Sequence, residues 1–348
     1  LELQPNLPAA ITTLSDSLMK TGRNADAENV LRTALRTLPS SPEFLYRLSL
    51  CCLARGEYRE GFGLYETRLN FDTNNRIHFP VLPMPMWTDQ PIAGKRILVL
   101  TEQGYGDHFQ FSRFIPRLAA AGAIPVIGAS EPLVDIMKSL PGGGGVLSDV
   151  ADARSCGCDY WVFVGSLPHR FGVDASTVGI DGPYLFANET KRAFWREKLA
   201  AHSGTKKIGL VWAGRPDNIV DAERSLQRDM LAPLADVPGV TWIAMQESSR
   251  AQEANAIGET LPIVNMSGHI SSFDDTAALM AELDLVITVD SAPAHLAGAL
   301  GRPVWVLLPR VGDWRWDLDE EKSPWYPTAR LFRQRTRGEW GEVVGRVI

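Results

Sequence analysis

Three short loops in the chain combine residue types that suit the handling of an anion and a proton. Asp290-Ser-Ala-Pro-Ala-His295 follows the apolar run Leu285–Val289 and opens a helical pattern. Asp290 or Ser291 suits the N-cap, which leaves the N–H groups of Ser291, Ala292 and Ala294 facing an anion with help from the helix dipole. Pro293 has no N–H but fits a first helical turn. The loop offers phosphate-site chemistry without a Walker lysine. Glu102-Gln-Gly-Tyr-Gly-Asp107 follows a second apolar run, Lys95–Thr101. Gly104 and Gly106 permit a tight turn, and Asp107 sets a carboxylate at a strand end. Ala213-Gly-Arg215 follows Lys207–Trp212; beyond Gly214, the Arg215 guanidinium can hold two phosphate oxygens. Two of the loops also have plainer readings: a helix cap at Asp290–Ser291 or at Asp107, an ordinary turn at Gly104–Gly106, a core histidine at His295.

The elements that must position these loops alternate. Lys95–Thr101, Ile124–Gly128 and Tyr160–Val164 read as strands, with helices predicted over Phe109–Ala121 and Pro132–Leu140. A second series reads as strands at Lys207–Trp212, Gly239–Met245, Leu285–Val289 and Val304–Leu308, with helices over Phe273–Leu283 and Ala292–Leu300. Alternation of this kind predicts parallel sheets with right-handed crossovers. Two Rossmann-like halves result, divided near Pro183–Ser203. Ligands of such sheets bind beyond the carboxyl ends of the strands, where all three loops lie.

The N-terminal quarter differs. A shift of 34 residues aligns Leu14 with Leu48, Ser15 with Ser49, Gly22 with Gly56, Ala27 with Gly61 and Leu35 with Leu69. That is the period of a tetratricopeptide helix pair, and residues 8–72 resemble two such repeats. Two repeats need a neighbour to cover their apolar face. They serve either as a helical cap or as a docking surface for a protein partner. The Pro-rich stretch Phe79–Trp87 then ends the helical segment. The predicted organisation is a helical domain at 1–78, a Rossmann-like domain at 79–188 and a second at 189–348, with the last helix packing back on the first.

Composition narrows the class. A net charge of -6 argues against a general nucleic-acid binder, and hydrophobic content of 45% with 22% charged residues suits a globular chain. The longest apolar stretch is too broken for a membrane span, and no signal-peptide pattern opens the sequence. Its four cysteines form neither a disulfide scaffold nor a zinc spacing, which predicts a reducing cytoplasm and no metal.

The segment Glu102–Phe114 resembles the opening loop of glycosyltransferase family nine, the heptosyltransferases. Val289–Val304 resembles that family's nucleotide-diphosphate loop. Asp313-Trp-Arg-Trp316, Ser323–Pro327 and Arg330–Gln334 resemble its tetratricopeptide-fused branch. The resemblance implies a GT-B fold of two Rossmann-like domains facing a cleft. It implies inverting, metal-independent transfer from a nucleoside-diphosphate sugar to a glycan or protein acceptor, with ADP-heptose as the suggested donor and no cofactor. Carried over by position, Asp107 is the base and Arg224 the cation on the leaving diphosphate. Residues 290–295 bind that diphosphate, with His295 shaping the loop or touching the sugar, and Gln246 and Glu247 contact ribose or base. His108 replaces the usual threonine or isoleucine, and Pro293 stands where a small or β-branched residue is expected. Trp325 and Tyr326 are expected to pack, while Trp314 and Trp316 stay open between packing and stacking on a sugar. Two other readings stay open: a nucleotide-sugar epimerase of the same layout, and an interaction protein with a degenerate transferase domain.

Overall fold

The computed structural model describes residues 7–70, 79–148, 150–179, 182–217, 221–246, 250, 252–316 and 321–348. It opens with four helices, α1 (Pro8–Lys20), α2 (Asn24–Leu35), α3 (Pro42–Ala54) and α4 (Tyr58–Tyr65). Proline at the first turn suits α1 and α3, and the Ser41 hydroxyl caps α3 by accepting from Phe44 N–H at 3.4 Å. The turns between paired helices fall at Gly22 and Gly56, with φ of 76° and 75°, where a side chain would be strained. Ala27 is fully buried, and a Cβ added at Gly61 would lie 2.8 Å from the Leu53 side chain, so small residues do set the crossings. Cys51 and Cys52 fill this helical core, where burial pushes both thiols up to about 12.

Short apolar runs then build the first sheet. Its strands are β1 (Arg96–Leu100), β2 (Ile124–Gly128), β3 (Val146–Leu147) and β4 (Tyr160–Phe163), in the order β3-β2-β1-β4, with every pairing parallel. The second sheet holds β5 (Lys206–Val211), β6 (Val240–Ala244), β7 (Ile263–Asn265), β8 (Leu285–Val289), β9 (Val304–Leu308) and β10 (Ala329–Arg333). Its order is β10-β9-β8-β5-β6-β7, again parallel throughout. The fold is therefore mixed α/β, with two parallel sheets. The strand order reverses between β1 and β4 in one sheet and between β5 and β8 in the other. These are topological switch points, where loops splay apart and leave a crevice.

Two expectations change. The single helix predicted over Phe109–Ala121 is two, α5 (Tyr105–Ser112) and α6 (Ile115–Ala120). Pro116 has no N–H to continue the first helix, so the chain breaks before it. The last helix does not pack back on the first sheet. After α7 (Glu189–Lys198), α8 (Phe273–Ala281) and α9 (Ala292–Ala299), the terminal α10 (Trp340–Val347) lies against β10 and residues 228–236. Its Trp340, Val343, Val344 and Val347 share a core with Leu210, Trp212 and Leu234 of the second sheet's side. The segment that does cross over carries Trp314, Trp325 and Tyr326. Trp325 meets Phe62 of α4 and Phe111 of α5 edge-on, and Trp314 stacks on Phe111. One apolar core thus runs from α4 through α5 to α8 and α9.

Candidate active site

At the first switch point the loop after β1 is fastened residue by residue. Arg68, at the end of the helical segment, is buried and grips Glu102 with two parallel bonds of 2.7 and 2.8 Å. Its second Nη2 contact is Ser166 Oγ at 2.8 Å, and Glu102 also accepts from Gly165 N–H at 2.9 Å, beside β4. Gln103 donates to the Tyr65 hydroxyl at 2.7 Å. The backbone then turns at Gly104, the N-cap of α5. Asp107 Oδ2 accepts from Gly104 N–H at 2.9 Å, so this carboxylate closes the helix start. Asp107 Oδ1 accepts from Arg315. The proton-accepting reading and the capping reading of Asp107 therefore describe one side chain in one place.

Gly106 is where the two switch points touch. A Cβ there would lie 2.8 Å from His295 Cδ2 and 3.7 Å from Ala292 Cα, so only glycine lets α5 seat on the first turn of α9. His295 is buried, stacks on Trp316 with centroids 5.1 Å apart, and shares a 2.9 Å hydrogen bond with the Tyr326 hydroxyl through Nδ1. Burial, then the charges of Arg315 and Arg113, hold its pKa well below the ordinary value, so the ring is neutral.

The second switch point brings together most of the other expected residues. Ser291 is the N-cap of α9, with extended backbone, but its side chain does not cap the helix. Its hydroxyl turns back to Val289 O and Thr288 Oγ1, both at 3.3 Å. Ala294 N–H bonds Ser291 O at 2.9 Å, which removes it from the expected set of open amides. Ser291 and Ala292 remain, with Pro293 lacking an N–H. Asp290 Oδ1 accepts from Trp316 Nε1 at 2.8 Å rather than capping. Burial and the nearby Asp313 raise its pKa. Arg224 donates to the Asp290 carbonyl at 2.8 Å, placing its charge beside the α9 start. No side chain fits at Gly214, which faces Arg224 and Asp221; its N–H donates to Ser225 Oγ at 3.0 Å.

Two expected residues are used otherwise. Gln246 is buried and bridges the Ala213 backbone, accepting at 3.1 Å and donating at 3.0 Å, so its amide holds the β5 loop instead of meeting a ribose. Arg215 is exposed and pairs with Asp217 at 2.8 Å. Glu247 lies outside the described residues. Arg315 and Arg68 carry the strongest links in the site, yet neither stands out from its neighbours in sequence. Only the position of Arg315 between two tryptophans marks it. Among the described residues, the cluster with metal-ligand spacing is Glu28, Cys52 and Glu57, in the helical segment. There both Glu28 oxygens already face Arg32 and Arg55.

Residues 239–308 match the model of Glycosyltransferase family 9 (heptosyltransferase). The matched stretch is similar to that family over these residues. That match includes β6 to β9 and the Asp290–His295 loop. The fold has neighbours among solved proteins. A family 9 glycosyl transferase from Veillonella parvula aligns with a TM-score of 0.53 at 15% identity, over 75% of this chain and 93% of that one. E. coli ADP-heptose lps heptosyltransferase II aligns with a TM-score of 0.52 at 16% identity, over 72% and 98%. The shared fold is GT-B-like. Protein FlbA of Caulobacter vibrioides (strain ATCC 19089 / CIP 103742 / CB 15) is 27% identical over 351 residues, 93% of this chain. The chain spans 57% of the length of that relative. Among the described residues, no helix is long and apolar enough to cross a membrane.

Proposed function

We propose that the protein transfers a sugar from a nucleoside-diphosphate donor to a glycan or protein acceptor, with inversion and without a metal. The observation that carries this reading is the seating of Gly106 on His295. It brings the Asp107 carboxylate and the uncapped start of α9 into one site from two separate sheets. In this reading Asp107 accepts the acceptor hydroxyl's proton while the oxygen attacks the anomeric carbon. The bond to the diphosphate breaks on the opposite face. The Ser291 and Ala292 amides, the α9 dipole and Arg224 then stabilise the charge that grows on the leaving group. The solved heptosyltransferase fold and the family match favour ADP-heptose as the donor to try first. The four-helix segment, with its 34-residue period and glycine turns, is read as two tetratricopeptide repeats that dock a protein partner or acceptor in the cytoplasm. The domain limits 1–78, 79–188 and 189–348 belong to the same reading.

The test is calorimetry with ADP, GDP and UDP, followed by transfer assays with the matching nucleotide sugars. One nucleotide should bind, and Asp107→Ala should abolish transfer while leaving that binding in place. Full transfer by Asp107→Ala would remove Asp107 from the base role. A second reading, an interaction protein whose transferase-like body no longer turns over, is favoured by the engagement of both Asp107 oxygens. Under that reading none of the three nucleotides binds.

A further inference from the structure

Arg315 belongs to neither switch-point loop, yet it joins them. It follows β9 in the crossing segment, and its guanidinium is held on several sides. Nε donates to Gln110 Oε1 at 2.7 Å, Nη1 donates to Asp313 Oδ1 at 2.6 Å, and Nη2 donates to Asp107 Oδ1. The guanidinium lies 4.3 Å from the centroid of the Trp314 ring. Its side chain is 10% exposed and that of Asp107 17%, so water weakens the pair little. The Arg315 charge also acts on Asp290 and His295, which bracket the first turn of α9. One cation therefore sits between a carboxylate on the first loop and the anion-seeking helix start on the second.

We propose that Arg315 is a positioning residue with two alternative partners: it ties down Asp107, and an arriving nucleoside diphosphate draws it away. This rests on the reading of α9 as a diphosphate site. The geometry lets the other Arg315 contacts persist through the exchange. A guanidinium has five donors, so Arg315 can keep Gln110 and Asp313 while Nη2 turns to a phosphate oxygen. Asp107 Oδ2 stays on Gly104 N–H, so the carboxylate keeps its orientation while Oδ1 is vacated. The proton acceptor then becomes available only with donor present. The hydroxyl proton passes to Asp107, the new bond forms to the anomeric carbon, and the electron pair of the broken C–O bond leaves on the diphosphate.

A thermodynamic cycle on the full chain, read by calorimetry with ADP and in parallel with GDP and UDP, tests this. Asp107→Asn releases Arg315 and should tighten binding about 3- to 10-fold. Arg315→Met should weaken it about 10- to 100-fold, the range for losing a hydrogen bond to a charged group. Asp107→Asn added to Arg315→Met should then change nothing beyond about 2-fold, because the cation it would free is gone. Arg315→Lys should recover part of the affinity; it replaces Arg315→Met in the cycle if that variant fails to fold by circular dichroism. A merely structural Arg315 would not give effects of opposite sign from its two partners. Equal effects of Asp107→Asn with and without Arg315 would overturn the exchange and leave the diphosphate site standing. If none of the three nucleotides binds the unaltered protein, the site reading falls and the exchange with it.

Discussion

The two switch-point loops are built in opposite ways. From Glu102 to Asp107 the first loop is anchored by a buried arginine, a tyrosine hydroxyl, its own helix start, a histidine ring and a second arginine. In the second, Gln246 and Ser225 hold Ala213 and Gly214, but Arg215 already stands in solvent. The start of α9 has no side-chain cap, and Arg224 faces a carbonyl. The Asp107 side is thus held by several side chains, while the start of α9 has no side-chain cap. The helical segment takes part in this difference. Its second helix pair turns Tyr58, Phe62 and Tyr65 into the main core, and Arg68 reaches the loop after β1.

The largest effect expected from breaking this arrangement is at Arg68. Arg68→Met leaves Glu102, whose side chain is 2% exposed, as a buried charge without its main partner. The loss should be about 3–5 kcal/mol, measured by urea unfolding. Arg224→Met, on the looser loop, should cost about 1 kcal/mol, the value of one ordinary hydrogen bond, and show itself instead in nucleotide affinity. Similar stability losses from both would erase the distinction between the loops. Next is Gly106→Ala, which forces a methyl against the His295 ring and should cost about 1–3 kcal/mol by overpacking. Gly104→Ala meets Asp107 Oδ2 at 3.3 Å and nothing closer, so a smaller loss is expected in the same melts.

Acid should act on the fold through two buried histidines, one at each switch point. His108, next to Asp107, is fully buried with both ring nitrogens unpartnered, and burial lowers its pKa to about 4. His295 is lowered in the same direction. The unfolded chain takes up these protons first, near pH 6.5, so stability is full above that pH and falls as pH drops toward 4. Each group contributes up to about 1.4 kcal/mol per pH unit inside the window. Melting curves between pH 7.5 and 5 should show a slope that His108→Leu reduces. An unchanged slope would place the acid sensitivity elsewhere.

What could be read from the sequence follows from range. The central strands are short apolar runs, and those at 124–128, 285–289 and 304–308 lie where predicted. Strands β3 and β7, of two and three residues, are too short to show a period, and β10 interleaves Arg330 and Arg333 with Leu331 and Phe332. The glycine turns of the helical segment and the Asp290–His295 loop are local patterns, so they were legible. Arg315 meets Asp107 across 208 residues and Arg68 meets Glu102 across 34, and nothing local in either arginine marks the partner. Gln246 shows the converse: its position after a strand suggested a ligand, but the bare Ala213 backbone beside it claimed the amide first.

The smallest effect belongs to Arg215, and it tests the comparison from the other end. Sequence order makes Arg215 as good a phosphate ligand as Arg224, since both follow β5. Their surroundings separate them. The Arg215 side chain is 66% exposed and its partner Asp217 67%, a pair that contributes little to stability. Arg224 is 17% exposed and lies against Gly214, Asp221 and the Asp290 carbonyl. Arg215→Ala should therefore leave stability within about 0.5 kcal/mol and nucleotide affinity within about 2-fold, whereas Arg224→Ala should weaken affinity by about 10-fold or more. A large affinity loss at Arg215 would mean that the β5 loop folds over the diphosphate when it binds. The second loop would then become as ordered as the first, but only with ligand present.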